Sequence, residues 1–184
     1  AKQFGFWTVK NYRESYDMHA SNGILVNHES PWRGSEFVTQ KIVQGVADIA
    51  KNKIPYIELG NLDAQRDWGH AKDYVYGMWL MTQQEQGDDY VLATGELHSV
   101  RELVEKCFKA VDMRITWEGE PGPDELGLDE NGNTVIKINP DFYRPAEVDL
   151  LLGNSLKARE VLGWKPKYTF DSMIDEMMDA ALTS

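Results

Sequence analysis

Short apolar runs alternate along this chain with longer stretches whose apolar residues recur every three or four positions. That alternation constrains the fold more than any other feature. Ile24-Leu25-Val26, Pro55 to Leu59, Tyr90 to Ala93, Arg114 to Glu118 and Thr134 to Ile138 have strand length and lie between turn-forming residues. The Ile24 to Val26 run is apolar throughout and reads as a buried strand opening into a polar loop. Helical stripes fill the intervals: Phe4 to about Ala20, then Phe37, Val38, Ile42, Val46 and Ile49 behind a Ser35 cap, then Asp67 to Gln86 stopped by Gly87. Ser99 with Glu102 three residues later has capping-box spacing, and Val100, Leu103, Val104, Cys107, Phe108 and Val111 form the apolar face behind it. Two short helices follow, Ser155 to Leu162 with Gly163 as stop, and one after Asp171 that buries Met173, Ile174, Met177 and Met178. The Gly- and acid-rich stretch Gly119 to Gly132 reads as an exposed, mobile loop. Strands alternating with helices predict an α/β or α+β chain.

Length and charge narrow the function. At 184 residues the chain is one domain, or one large piece of something bigger. Its 19 Lys plus Arg against 30 Asp plus Glu give a net charge of -11, which removes the broad attraction that phosphate-backbone binders use. Nucleic acid is therefore excluded as a principal partner, and an anionic ligand must be met by local cations. No apolar run approaches the ~20 residues that span a bilayer, so no membrane partner is expected. Cys107 is the single cysteine and no secretory leader opens the chain, which predicts a reducing, cytoplasmic setting. His19, His28, His70 and His98 are scattered without metal-ligand spacing, so no metal is expected. No glycine-rich phosphate loop and no Gly-x-Ser-x-Gly elbow occurs.

Three polar clusters stand out. Asn27-His28-Glu29-Ser30-Pro31-Trp32-Arg33-Gly34 packs an amide, an imidazole, a carboxylate and a guanidinium into one loop, which serves either a ligand or the loop's own backbone. In Gly60 to Trp68, Arg66 can fork onto a phosphate or pair with Asp63 or Asp67. In Tyr143-Arg144-Pro145-Ala146-Glu147-Val148-Asp149, Arg144 and Glu147 can grip a phosphate and a sugar diol, or each other.

These clusters, together with Phe37-Val-Thr-x-Lys41, Gly60-Asn-Leu-Asp-Ala-x-Arg66-Asp-Trp-Gly-His-Ala-Lys-Asp-Tyr-Val75, Ala93-Thr-Gly-Glu-x-His-Ser-Val-Arg-Glu102 and Leu162-Gly-Trp-Lys-Pro166, resemble in order the GDP-mannose 4,6-dehydratase family. The resemblance covers nearly the whole chain. It implies an extended short-chain dehydrogenase/reductase, with an NADP-binding Rossmann domain followed by a smaller α/β sugar-nucleotide domain. On that pattern, residues 1–35 are the last helix and strand of a truncated Rossmann domain, and residues 36–184 are the C-terminal substrate domain with short returns to the Rossmann sheet.

The implied reaction converts GDP-mannose to GDP-4-keto-6-deoxymannose: hydride leaves sugar C4 for NADP, water is lost across C5 and C6, and hydride returns to C6. Carried over residue by residue, Lys2 is catalytic and cofactor-binding, His28 and Arg33 contact the cofactor, and Asn27, Lys41, Arg66, Arg144 and Glu147 contact the sugar nucleotide. Ala1-Lys2 resembles the end of the family's Tyr-x-x-x-Lys motif, whose lysine lowers the pKa of a tyrosine four positions earlier. That tyrosine, the catalytic Thr and Glu and the glycine-rich loop would precede Ala1. No capping side chain precedes Lys2 either, so the chain is expected to be a C-terminal portion, inactive alone. A stand-alone GDP-sugar-binding module and a non-catalytic remnant are the other readings. Bare apolar faces on the first helix and strand would favour a homo-oligomer. Trp32, Gln40 and Gln65 stand where many relatives carry basic residues.

Overall fold

The computed structural model describes residues 1–143 and 150–184. In chain order the elements are α1 (Lys2–Tyr16), β1 (Asn22–Leu25), β2 (Asn27–Glu29), α2 (Val38–Ala50), β3 (Ile57–Leu59), β4 (Gln65–Arg66), β5 (Trp68–His70), α3 (Ala71–Thr82), β6 (Asp89–Leu92), β7 (His98–Ser99), α4 (Val100–Ala110), β8 (Thr116–Glu118), β9 (Leu126–Leu128), β10 (Thr134–Ile138), a 3-10 turn (Pro140–Phe142), β11 (Leu150–Leu151), α5 (Leu156–Leu162) and α6 (Phe170–Thr183). This is the mixed α/β chain that the alternation predicts. The chain divides into two compact units: residues 1–28, 67–96 and 152–169, and residues 29–66, 97–151 and 170–184.

In the first unit β1 and β6 pair in parallel, Asn22 opposite Asp89 through Leu25 opposite Leu92. Tyr74, Met81, Tyr90, Leu92, Ala158, Leu162 and Trp164 form its core. Trp164 lies in a turn after α5, and its indole donates to the Asp73 carbonyl at 2.8 Å. The helix α5 stops where Gly163 adopts φ 64, a left-handed conformation that glycine takes without steric cost. Three elements depart from the sequence reading. The first helix ends at Tyr16, because Asp17 turns left-handed at φ 52, and it buries none of its residues. The Ile24 to Val26 run is not a buried strand: Ile24 is 47% exposed. The expected Asp67 to Gln86 helix divides instead into β5 and α3, because the His70 imidazole caps Lys72 N at 3.1 Å and so sets the first turn.

The second unit closes its own core. Helices α2, α4 and α6 pack on one another through Ile42, Val43, Val46, Leu103, Val104, Phe108, Met173, Ile174, Met177 and Met178. Its main sheet has the order β3-β10-β9-β8, with β10 parallel to β3 and antiparallel to β9. Ser99 caps α4 as its spacing predicts, accepting from Glu102 N at 3.1 Å. Ser35 does not cap α2; Phe37 takes the N-cap position with extended backbone and no side-chain bond. The stretch Gly119 to Gly132 is not simply loop, since it contains β9 and the buried Glu125, which Arg101 holds by a two-pronged ion pair. No helix among the described residues is long and apolar enough to cross a membrane.

Candidate functional site

A second small sheet, β11-β4-β7, organises the polar side chains of the second unit. Its central strand carries Arg66, with Leu151 in register on the parallel side and His98 on the antiparallel side. Pairing continues along the chain, since Val100 N donates to Ala64 O at 3.2 Å and Arg101 N to Leu62 O at 2.9 Å. Arg66 Nη1 donates to its neighbour's carbonyl, Gln65 O, at 2.7 Å.

The two acids suggested as ion-pair partners for Arg66 have other bonds. Asp63 accepts from Arg101 at 3.1 Å. Asp67, with no exposed surface, accepts from Thr94 N, Thr94 Oγ1 and Gly95 N at 3.0, 2.7 and 2.9 Å.

Lys41 extends from α2 over the ring of Phe142, with Nζ 4.0 Å from the centroid. Burial pushes its pKa down, while the nearby Glu58 carboxylate pushes it up. A partly desolvated ammonium against an aromatic face suits a phosphate, because the anion then meets a charge that water shields poorly. Gly60 comes so close to this turn that a Cβ there would sit 2.9 Å from Phe142 O. Tyr143 follows the ring under Lys41, and Leu150-Leu151 pairs with Gln65-Arg66. Arg144 and Glu147 themselves lie outside the described residues.

Arg33 is clamped. Its guanidinium lies 3.5 Å over the Phe37 ring, and Nε is 3.1 Å from Glu29 Oε2, close enough for an ion pair though not aligned for a hydrogen bond. Glu29 is buried and also accepts from Thr39 Oγ1 at 2.6 Å. Glu29 and Asp67 are the organising acids that sequence reading missed. The sequence offers Asp67 as an ion-pair partner for Arg66 and Glu29 as part of a polar loop, and neither as a buried anchor. In the first unit, His28 Nδ1 is 3.0 Å from Val26 O and its ring lies 5.2 Å from that of Tyr74. Asn27 precedes it on β2, and Lys2 is exposed at the start of α1. Arg33, Lys41 and Arg66 thus share one unit with the segment 144–149, while Lys2, Asn27 and His28 belong to the other. Trp32 is 95% exposed. Among the described residues no group of three or more His, Cys, Asp and Glu side chains is placed to hold a metal.

The same fold occurs in the structure of RMD from Pseudomonas aeruginosa complexed with NADPH, with a TM-score of 0.77 at 14% identity over 97% of this chain and 53% of that one. It occurs also in dTDP-glucose 4,6-dehydratase from Bacillus anthracis in complex with NAD, with a TM-score of 0.71 at 15% identity over 95% and 48%. The class is the mixed α/β fold of these dinucleotide-bound proteins. The GDP-mannose 4,6 dehydratase family matches residues 1–177, and the chain belongs to that family. It is 57% identical to GDP-mannose 4,6 dehydratase of Drosophila melanogaster over 98% of this chain and 46% of that protein, and 50% identical to the Homo sapiens protein over 98% and 48%. The chain spans about half the length of these curated relatives.

Proposed function

We propose that this chain is the sugar-nucleotide-binding portion of an NADP-dependent GDP-mannose 4,6-dehydratase, a lyase that forms GDP-4-keto-6-deoxymannose. The observation that carries this reading is that Lys41, seated over Phe142, and Arg66, on the strand paired with Leu150-Leu151, belong to one compact unit. Lys41, Arg66 and Arg144 neutralise the pyrophosphate, and Glu147 accepts two bonds from a ribose diol. Asn27 orients the sugar.

The residues that the family resemblance assigns to the cofactor are cations and hydrogen-bond donors, a chemistry that suits a dinucleotide. Arg33, held by Glu29 and Phe37, is a preorganised cation for a phosphate, and His28 and Lys2 supply further donors. NADP bound there would supply the hydride acceptor and donor that the sugar chemistry needs. Lys2 serves as a cation that holds a neighbouring phenol in its ionised form. The N-terminal residues 1–35 belong to the Rossmann part and residues 36–184 to the substrate domain, with short returns to the Rossmann sheet such as β6, which pairs with β1. The enzyme assembles as a homo-oligomer. A reducing, cytoplasmic setting suits Cys107, whose thiol burial keeps protonated.

Calorimetric titration of the chain with GDP-mannose tests the reading. Micromolar affinity, roughly -8 kcal/mol, is expected, with Lys41→Met weakening it about tenfold. Because the Lys41 pKa is lowered, wild-type affinity should fall as pH rises through that lowered value, where the ammonium loses its proton, and the variant should not show that limb. No heat at millimolar ligand, from a chain shown folded by circular dichroism, would count against it.

A further inference from the structure

The chain passes between its two units after His28, Arg66, Glu96, Leu151 and Thr169. Three of these five passages share one arrangement. On the second-unit side of Arg66, Glu96 and Leu151, the three chain segments are the strands of the β11-β4-β7 sheet, with Leu151, Arg66 and His98 in register. On the first-unit side, the same three segments meet at one carboxylate. Asp67, the first residue past Arg66, accepts from Thr94 N and Oγ1 and from Gly95 N, just before the Glu96 passage, and from Gly153 N at 3.4 Å, just after the Leu151 passage.

The side chain is fully buried, and those four donors take the place of the hydrogen bonds that water would otherwise make. Its neighbours are built to fit. A Cβ on Gly153 would lie 2.2 Å from Ala93 Cβ, so only glycine brings that amide to the acid. Ser155 Oγ donates to Ala93 O at 2.9 Å and Arg159 Nη2 to Thr94 O at 2.8 Å, which ties the second and third passages to each other. Asp67 supplies the bonds from the first passage to both.

We propose that Asp67 is a positioning residue, a clasp that ties the segments at Thr94-Gly95 and Gly153 to the residue that follows Arg66, and so fixes the backbone from which Arg66 extends. Its functional consequence rests on the reading that Arg66 contacts the sugar nucleotide. An amide at this position keeps one acceptor but turns an NH2 toward the Gly95 and Gly153 donors, so Asp67→Asn reverses half of the clasp.

Amide hydrogen exchange read residue by residue tests it in the intact chain, together with calorimetry using GDP-mannose. Asp67→Asn should speed exchange at least about tenfold at residues 65–66, 94–95, 98–99 and 150–153 together, leave α4 and α6 at wild-type rates, and weaken GDP-mannose about tenfold. Thr94→Val, which deletes one of the four bonds, should reproduce the pattern at lower amplitude and carries the test if Asp67→Asn does not fold. Thr94→Ser should restore wild-type behaviour. Faster exchange confined to residues 94–95, or spread evenly over both units, overturns the clasp. Unchanged GDP-mannose affinity in a variant showing the coupled exchange overturns its positioning role. If the wild-type chain gives no heat with GDP-mannose, the ligand reading fails and the exchange pattern alone decides the clasp.

Discussion

Helices α2, α4 and α6 of the second unit bury one another's apolar faces, whereas α1 of the first unit buries none of its residues. Phe4, Trp7, Tyr12 and Tyr16 are all at least half exposed along α1. Tyr76 and Trp79 of α3, stacked at 5.7 Å, also lie open. The difference teaches that a helical pattern of apolar residues declares a face that needs cover without saying what covers it. In the second unit the cover is in the same polypeptide. For α1 no described residue of the chain buries that face.

The largest effect that breaks or sharpens this contrast comes from truncating one aromatic on each side of it. Phe108→Ala removes a fully buried ring from between helices and is expected to destabilise the chain by about 3–5 kcal/mol. Trp7→Ser, at 60% exposure, should move the urea midpoint by no more than about 0.5 kcal/mol. Comparable losses from the two variants would mean that α1 is covered within this chain or by a second copy of it.

How far the sequence carries follows the same division. The α4 helix was legible because every signal is local: Ser99 meets Glu102 N one turn away, and its apolar stripe faces partners of the same type. The α6 face of Met173, Ile174, Met177 and Met178 was legible for the same reason. The split of Asp67 to Gln86 into β5 and α3 was not, because it depends on the His70 ring acting as a cap, a role for which Ser, Thr, Asp and Asn are the usual signals. The exposure of Ile24 was hidden too, since apolarity alone does not reveal whether a second layer is present. At the site, the types of Arg33, Lys41 and Arg66 suggested anion binding, but the clamp of Glu29 and the pinning of Asp67 are long-range facts that spacing does not encode.

An arginine in each unit sharpens the contrast at intermediate size. Arg101 grips buried Glu125 with Nη1 and Nη2 at 2.6 and 3.0 Å and stacks 4.7 Å from the Trp117 ring, and its bonds to that carboxylate raise its own pKa. Arg101→Ala strands a carboxylate that retains almost no contact with water, so a loss of about 3 kcal/mol is expected. The double change Arg101→Met with Glu125→Leu should recover much of it, because the cost lies in the unpaired charge. Failure of the double variant to recover would mean that Asp63 and the Trp117 stack carry the stability instead.

Arg13 in the first unit makes a comparable two-pronged pair with Asp89, at 2.9 and 3.0 Å, and so gives α1 one strong tie that owes nothing to its apolar face. Arg13→Ala should cost about 1 kcal/mol at pH 7, less than the Arg101 change, because water reaches both partners. The Arg13 hydrogen bonds hold the Asp89 carboxyl below the usual carboxylate range against the opposing cost of burial. A carboxyl whose pKa is depressed on folding adds stability that is fully present above its unfolded value, near 4, and that is lost as pH falls through the folded value. The gap between wild type and Arg13→Ala in urea titrations should therefore persist from pH 7 to about pH 5 and close as the medium is acidified below about pH 4. A gap that stays constant down to pH 2 would assign the arginine's contribution to its other bond, the 3.0 Å contact with Ala20 O.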